Sequence, residues 1–222
     1  MTKTIVGRID LRADGFAPVL LNSHSEFNHA YRTGKNHWLG AYESVPMLDP
    51  KERTRPALDN DKAQHLFIVA DADIYETKAL RNRLGIGPGD HSDSDLISLA
   101  YKKYGPQCLN YLEGDYVFVI YDYSNKSVFI ARDHIGTRPL FWRVKGDQFF
   151  FASSVELLLK FTDVNWTLSE QRLCRFLLYP KEIRPESFIH GVEALQPGHW
   201  GQVKASSIES VRWWEPALIK TD

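Results

Sequence analysis

The stretch GDYVFVIYDYSNKSVFIARDHIGTRPLFW, residues Gly114–Trp142, decides the fold. Two apolar runs, DYVFVIYD and SVFIARD, flank YSNK, which is the pattern of a β-hairpin. Just downstream, PLFWRV and QFFFASS flank KGD, a second hairpin. A strand covered on one face buries one parity, so either Val117 and Val119 or Phe118 and Ile120 should point inward. Between the hairpins lies ARDHIGTRP, where Arg132 and Asp133 follow directly on an apolar strand and Gly136 and Pro139 turn the chain. Two readings stand for this loop. Arg132 and Asp133 can pair with backbone or neighbouring charges to fix the turn, or the loop can face a partner domain.

Working outward, strands are expected at Thr4–Leu11, in APVLLN (17–22), in HWLGAYES (37–44) and at His65–Tyr75. ETKALRNRL (76–84) reads as a short helix. A second helix should start at Ser92, with Asp95 completing a capping box in place of the usual Glu, and end at Gly105-Pro106. SVELLLKF (154–161) and SEQRLCRFLLY (169–179) read as helices, and GHWGQVKA (198–205) as a late strand. Val45–Lys62, rich in Pro, Asp, Lys and Arg, is expected to be an exposed connection. Strands in hairpin-linked runs with helices between the runs predict antiparallel sheets with helices packed outside them, not a βαβ repeat.

Composition narrows the function classes. The 222 residues carry 27 basic and 28 acidic side chains, a formal charge of −1, so nothing favours a nucleic acid or an anionic membrane as partner. The longest apolar run, Tyr116–Tyr121, is far short of the ~20 residues that span a bilayer, and the charged N-terminus does not read as a secretory leader. Cys108 and Cys174 form no CxxC pair, which points to a reducing compartment and a cytoplasmic location. The His residues make no metal-ligand pattern, so no metal is expected. GIGPGD lacks the Lys-Ser/Thr of a phosphate loop and reads as a turn.

Taken together, LEGDYVFVIYD, VFIARDHIGTRPLFW and FFFASSVELLL resemble the glutamine-amidotransferase domain of asparagine synthetases and their relatives. That family reads L-x-G-x-F-A-F-x-x-Y-D, then A-R-D-x-x-G-x-x-P-L-Y, then F-A-S-E-x-K. SFIHGVEALQPGHW, DIYETKALR and SDSDLISLAYKKYGPQCLNYLEG match further motifs of the family in the same order. The resemblance covers nearly all of Ile5–Trp214 and is weakest between Arg12 and Lys62. It implies an α+β fold of N-terminal-nucleophile hydrolase type, a four-layer αββα sandwich with two stacked antiparallel sheets. It also implies one domain over residues 1–214, with 215–222 beginning a linker toward a synthetase domain.

The catalytic parts of the family are altered here. Its nucleophile is an N-terminal Cys, activated by a free α-amine of pKa about 8. Counted back from Gly7, that place falls on Lys3, with Thr2 the nearest hydroxyl. Its oxyanion hole is an Asn-Gly before E-I-Y, and the matching residues are Asp71 and Ala72 before Asp73. An Asn amide donates a hydrogen bond where an ionised Asp only accepts, and one such donor is worth about 3 kcal/mol of transition-state stabilisation. The Arg that grips the glutamine carboxylate has no counterpart in LGAYESVPMLDP. Ser92 and Asp93 match the Ser-Asp that meets the substrate α-amine, but they also make a good helix start in any protein.

The resemblance therefore implies a degenerate amidotransferase domain. It is most like the Cys-less forms of β-lactam and lasso-peptide macrolactam synthetases, and would be a scaffold for amide-bond formation. Two alternatives are an active amidohydrolase using Thr2 and a regulatory ligand-binding domain. The implied partner is an asparagine-synthetase-like domain, on the same longer chain or on a separate subunit, with ATP and Mg bound there and no cofactor in this chain. A second copy of the chain is a further candidate partner. The docking residues expected are the loop of Arg132, Asp133, Gly136 and Pro139 with Trp213 and Trp214. If those two adjacent Trp lie on a strand they face opposite ways, one into the core and one to the partner or under a local loop.

Overall fold

A computed structural model describes residues 3–10, 30–33, 37–43, 59–61, 66–122, 126–161, 166–182, 185–204 and 207–217. The two hairpins are present. β6 (Gly114–Asp122) pairs antiparallel with β7 (Ser127–Arg132), and β8 (Phe141–Lys145) with β9 (Gln148–Ala152). The second closes through Gly146 and Asp147, with Gly146 at φ +58°, a conformation open to glycine. Most of YSNK lies outside the described residues.

β1 (Lys3–Asp10) lies between β9 and β3 (His37–Glu43). With β2 (Ala30–Thr33) and β10 (Glu193–Ala194) they form one six-stranded sheet in the order β10-β8-β9-β1-β3-β2. The other sheet runs β12-β11-β7-β6-β5-β4, where β4 is Asp59–Asp61, β5 Leu66–Ile74, β11 His199–Lys204 and β12 Ser207–Arg212. Every strand pairing described is antiparallel. APVLLN lies outside the described residues. Asp59–Asp61, read in the sequence as part of an exposed connection, is an edge strand on β5.

Ile5 and Ile9 of β1 and Phe149 and Phe151 of β9 meet Phe67, Val69, Val117, Val119 and Ile130 of the facing sheet. That is the inter-sheet core. On the outer face of the second sheet, Ile68, Ala70, Phe118, Ile120 and Phe129 pack under α1 (Thr77–Leu84), α2 (Asp93–Tyr104) and a 3-10 helix, Gly105–Tyr111. Val6, Phe150 and Ala152 back onto α3 (Val155–Phe161) through Leu158. The result is the four-layer sandwich. It corrects the parity expectation: Val117 and Val119 are buried, and so are Phe118 and Ile120. A strand covered on both faces has no polar side, so β6 reads as a continuous apolar run.

The capping box at Ser92 forms with Asp in the Glu role. Ser92 Oγ accepts from Asp95 N at 3.2 Å, and Ser92 N donates to Asp95 Oδ2 at 2.7 Å. Gly105-Pro106 does end α2, but the chain continues as the 3-10 helix, which begins at Gly105 with that Pro in its first turn.

Cys108 is fully buried in this layer, and burial pushes its thiol up to about 12, whereas Cys174 is exposed. Native protein should therefore show one fast-reacting thiol in an Ellman titration and two in denaturant. Two fast thiols in the native protein would contradict this packing of the 3-10 helix.

Candidate functional site

β7 runs out at Arg132, and Asp133 N extends the ladder by one bond, donating to Tyr116 O at 2.9 Å. The Asp133 side chain, 1% exposed, then turns into its own loop. Oδ1 accepts from the amides of Ile135 at 3.0 Å, Gly136 at 2.6 Å and Thr137 at 3.1 Å. Oδ2 accepts from Arg138 N at 3.4 Å and from Tyr116 N at 3.3 Å. A turn that aims successive amides inward is an anion-binding nest, and here the chain's own carboxylate fills it.

Arg132 does the converse for the carbonyls. Nε donates to Arg138 O at 2.6 Å, Nη1 to Leu195 O at 2.6 Å and Nη2 to Gly136 O at 2.5 Å. Gly136 sits at φ +75°, and a Cβ there would lie 2.7 Å from Pro197 Cγ and 3.0 Å from the Arg132 guanidinium. The Arg-Asp-x-x-Gly pattern is thus explained by the turn it builds, and of the two readings of Arg132 and Asp133 the structural one describes their contacts. Pro139, half-buried, leads into β8.

The alternation that gives Phe67 and Val69 to the inter-sheet core puts Asp71 and Asp73 on the same face. Asp71 is 1% exposed and Asp73 is exposed, while Ala72 faces the helices. Arg138, from the loop just described, brings Nε to 3.8 Å from Asp71 Oδ1. Thr137 Oγ1 donates to Asp115 Oδ1 at 3.1 Å. Tyr75 is exposed and its hydroxyl is raised above the usual phenol range, first by a hydrogen bond with Asp115. The end of the slot between the sheets therefore collects carboxylates around one guanidinium. Ser92 and Asp93 begin α2, on the other face of β5, and Ser92 is taken up by its capping box. Lys3 opens β1 opposite Glu43. Thr2 lies outside the described residues.

Trp213 and Trp214 do not lie on a strand, although Trp213 packs against the helix-side core as one of the pair was expected to. β12 stops at Arg212, and both Trp amides turn onto Gly198 O, at 2.9 and 3.3 Å. The two rings then close on one side chain: His134 lies 4.6 Å from Trp213 and 5.2 Å from Trp214, edge-on to both. Trp213 Nε1 also donates to Arg132 O at 3.3 Å. Neither ring is fully buried and neither is exposed.

Gly198, at φ +64°, permits this clasp, because a Cβ there would lie 2.7 Å from Trp214 O. Gly198→Ala should cost roughly 1–3 kcal/mol from left-handed strain and overpacking and red-shift the Trp emission as the clasp opens; an unchanged melting temperature would contradict it. His134 and Gly198 escape notice in the sequence, where only the Pro-Gly turn at 197–198 gives a signal.

Burial lowers the His134 pKa, against weaker opposite pulls from Asp133 and Glu113. The unfolded chain then binds the proton more readily, so this contribution is complete above the ordinary His pKa and is lost as pH falls through the lower folded value. Thermal stability should drop modestly from pH 7.5 to 5, and His134→Gln should drop less; equal slopes for both proteins would refute the assignment.

Among the described residues no three His, Cys, Asp or Glu side chains converge as metal ligands. Among them, too, no helix is long and apolar enough to cross a membrane.

Comparison with known proteins places this geometry. Residues 29–214 match the model of a glutamine amidotransferase domain. The chain is 23% identical over 185 residues to asparagine synthetase [glutamine-hydrolyzing] 3 of Bacillus subtilis, covering 82% of this chain and 30% of that protein. It is 32% identical over 121 residues to asparagine synthetase [glutamine-hydrolyzing] 3 of Arabidopsis thaliana, covering 53% of this chain and 20% of that protein. The chain thus spans less than a third of the length of these curated relatives. Among solved structures, the glutamine phosphoribosylpyrophosphate amidotransferase of B. subtilis superposes with a TM-score of 0.53 at 15% identity, over 96% of this chain and 43% of that one. An allosteric regulatory enzyme of purine biosynthesis gives 0.55 at 17%, over 97% and 43%. At such identities these two likenesses establish the fold, which is that of the N-terminal-nucleophile type of glutamine amidotransferase. The chain belongs to the glutamine amidotransferase domain family, in the form carried by asparagine-synthetase-like proteins.

Proposed function

We propose that this domain has no glutaminase activity and serves as the scaffold and docking domain of an ATP-dependent, asparagine-synthetase-like enzyme that forms amide bonds. The observation that carries the reading is Asp71, 1% exposed and facing Arg138 at 3.8 Å in the place where the family holds an amide donor. A developing oxyanion needs donors in fixed positions, and a carboxylate there repels it. Lys3 in the place of the terminal Cys removes the nucleophile as well. In this reading residues 1–214 are the domain and 215–222 begin the link to the synthetase half, which acts in the cytoplasm. ATP and Mg belong to that half: this sequence has no Ser-Gly-Gly-x-Asp-Ser loop, and the carboxylates gathered at the inter-sheet slot suit neither a triphosphate nor a built cation site.

The test is nitrogen supply. Joined to its synthetase half, the domain should support amide formation from an amine or ammonium and give no product above the blank with glutamine. Glutamine-driven product within about tenfold of the ammonium rate would sink the reading, since one lost oxyanion donor alone costs ~10²–10³ in rate.

A further inference from the structure

α4 (Glu170–Leu178) is, among the described helices, the one with no buried residue. Its C-terminal turn presents Leu177 at 71% exposure and Leu178 at 72%, followed by Tyr179 at 61%. What holds the helix is a strap, Pro185–Ala194. Ser169 N donates to Phe188 O at 2.8 Å, Arg172 Nε donates to Glu186 O at 3.1 Å, and the Phe176 and Phe188 rings meet at 5.3 Å. A helix of nine residues is marginal in water without an apolar face to pack. A large exposed apolar patch on a folded domain marks an interaction site.

The strap also says where this face lies. Ala194 N closes it on Pro185 O at 2.6 Å, β10 within it pairs with Phe141 and Trp142, and Leu195 O accepts from Arg132. The four residue-to-residue steps from Ala194 to Gly198 span at most ~14 Å, and Gly198 O receives the Trp213 and Trp214 amides. The α4 face therefore hangs from the framework on which the chain leaves β12. The matched part is 30% of the Bacillus synthetase and 20% of the Arabidopsis one, so in both relatives more than two thirds of the protein lies outside the matched part.

We infer that α4 and its strap form the face on which the synthetase domain docks, with Leu177, Leu178 and Tyr179 entering an apolar groove of that domain. The inference rests on the docking reading proposed above and moves the contact from the Arg132–Pro139 loop, whose Arg132, Asp133, Thr137 and Arg138 side chains are engaged within this domain, to a helix with none of its side chains buried.

Cys174 lies on α4 and is exposed, while Cys108 is buried, so α4 carries its own reporter. The probe is an asparagine-synthetase-type synthetase domain from the same organism, added in trans to the full chain. Binding is followed by calorimetry and by the rate of maleimide labelling at Cys174. The complex should slow labelling, and the Leu177→Asp/Leu178→Asp variant should bind at least tenfold more weakly with its melting temperature little changed, because both side chains are exposed. Full binding by that variant, with Cys174 labelled at the free rate, would overturn the inference and leave the docking reading standing; loss on Ile135→Asp instead would return the contact to the loop. No binding by the wild-type chain would overturn the docking reading itself, and this inference with it. A wild-type dimer broken by Leu177→Asp/Leu178→Asp would assign the face to a second copy and refute the chosen occupant.

Discussion

Asp133→Ala should lower the unfolding free energy by about 3–5 kcal/mol, the range for breaking a buried charged network by removing one member. Asp133 is 1% exposed and accepts from five backbone amides. Without it those donors keep their geometry and lose their acceptor, and each buried donor left unmade costs roughly 1–3 kcal/mol before relaxation. The loop also anchors Arg132, whose guanidinium is half-buried and holds three carbonyls. A domain of this kind has only about 5–15 kcal/mol in all, so the variant should unfold at far lower urea. Asp133→Asn should cost less but still measurably, because its Oδ1 can accept from residues 135–137 while its NH2 faces the Tyr116 and Arg138 amides. A midpoint within experimental error of wild type for either variant would show that the loop is not what locks β7 to β8.

Arg138→Ala should cost a similar ~3 kcal/mol or more, for a different reason. Its Nε lies 3.8 Å from Asp71, and the two side chains are 12% and 2% exposed. Removing the cation takes this neighbour from a carboxylate buried between the sheets, and a buried charge that loses a partner costs more than the pair was favourable. Asp71→Asn in the Arg138→Ala background should recover a large part of the loss, since the neutral side chain needs no counter-charge. Asp71→Asn should also leave the glutaminase rate at the blank, because it returns a donor without a nucleophile. If Arg138→Ala were neutral in urea and the double variant gained nothing, the Asp71–Arg138 contact would carry no weight in the fold.

The hairpins around YSNK and KGD were legible because turn residues and apolar runs are local signals. Which faces they bury was not. The alternation at Val117–Ile120 reads as one-sided, and only the arrival of α2 and the 3-10 helix on one face and β1 and β9 on the other shows that both parities are core. β10 and β12 left no mark, being short or placed by their partner strands. In the site, the change of Asn-Gly to Asp71-Ala72 could be read by matching motifs. Its partner Arg138 could not, since it comes from a distant loop whose shape depends on Asp133. The Trp pair was legible in part: Trp213 packs against the core, but two adjacent Trp take opposite faces only if the strand continues, and both amides turn onto Gly198 O instead.

In the proposed reading the amidotransferase domain has lost its chemistry and kept its fold. The most direct measurement is glutamate release from glutamine by the purified chain after removal of Met1. The expected rate equals the buffer blank for wild type, Thr2→Ala and Asp71→Asn alike. Release well above the blank in wild type and abolished by Thr2→Ala would contradict it, and would make this an active amidohydrolase with Thr2 as its nucleophile.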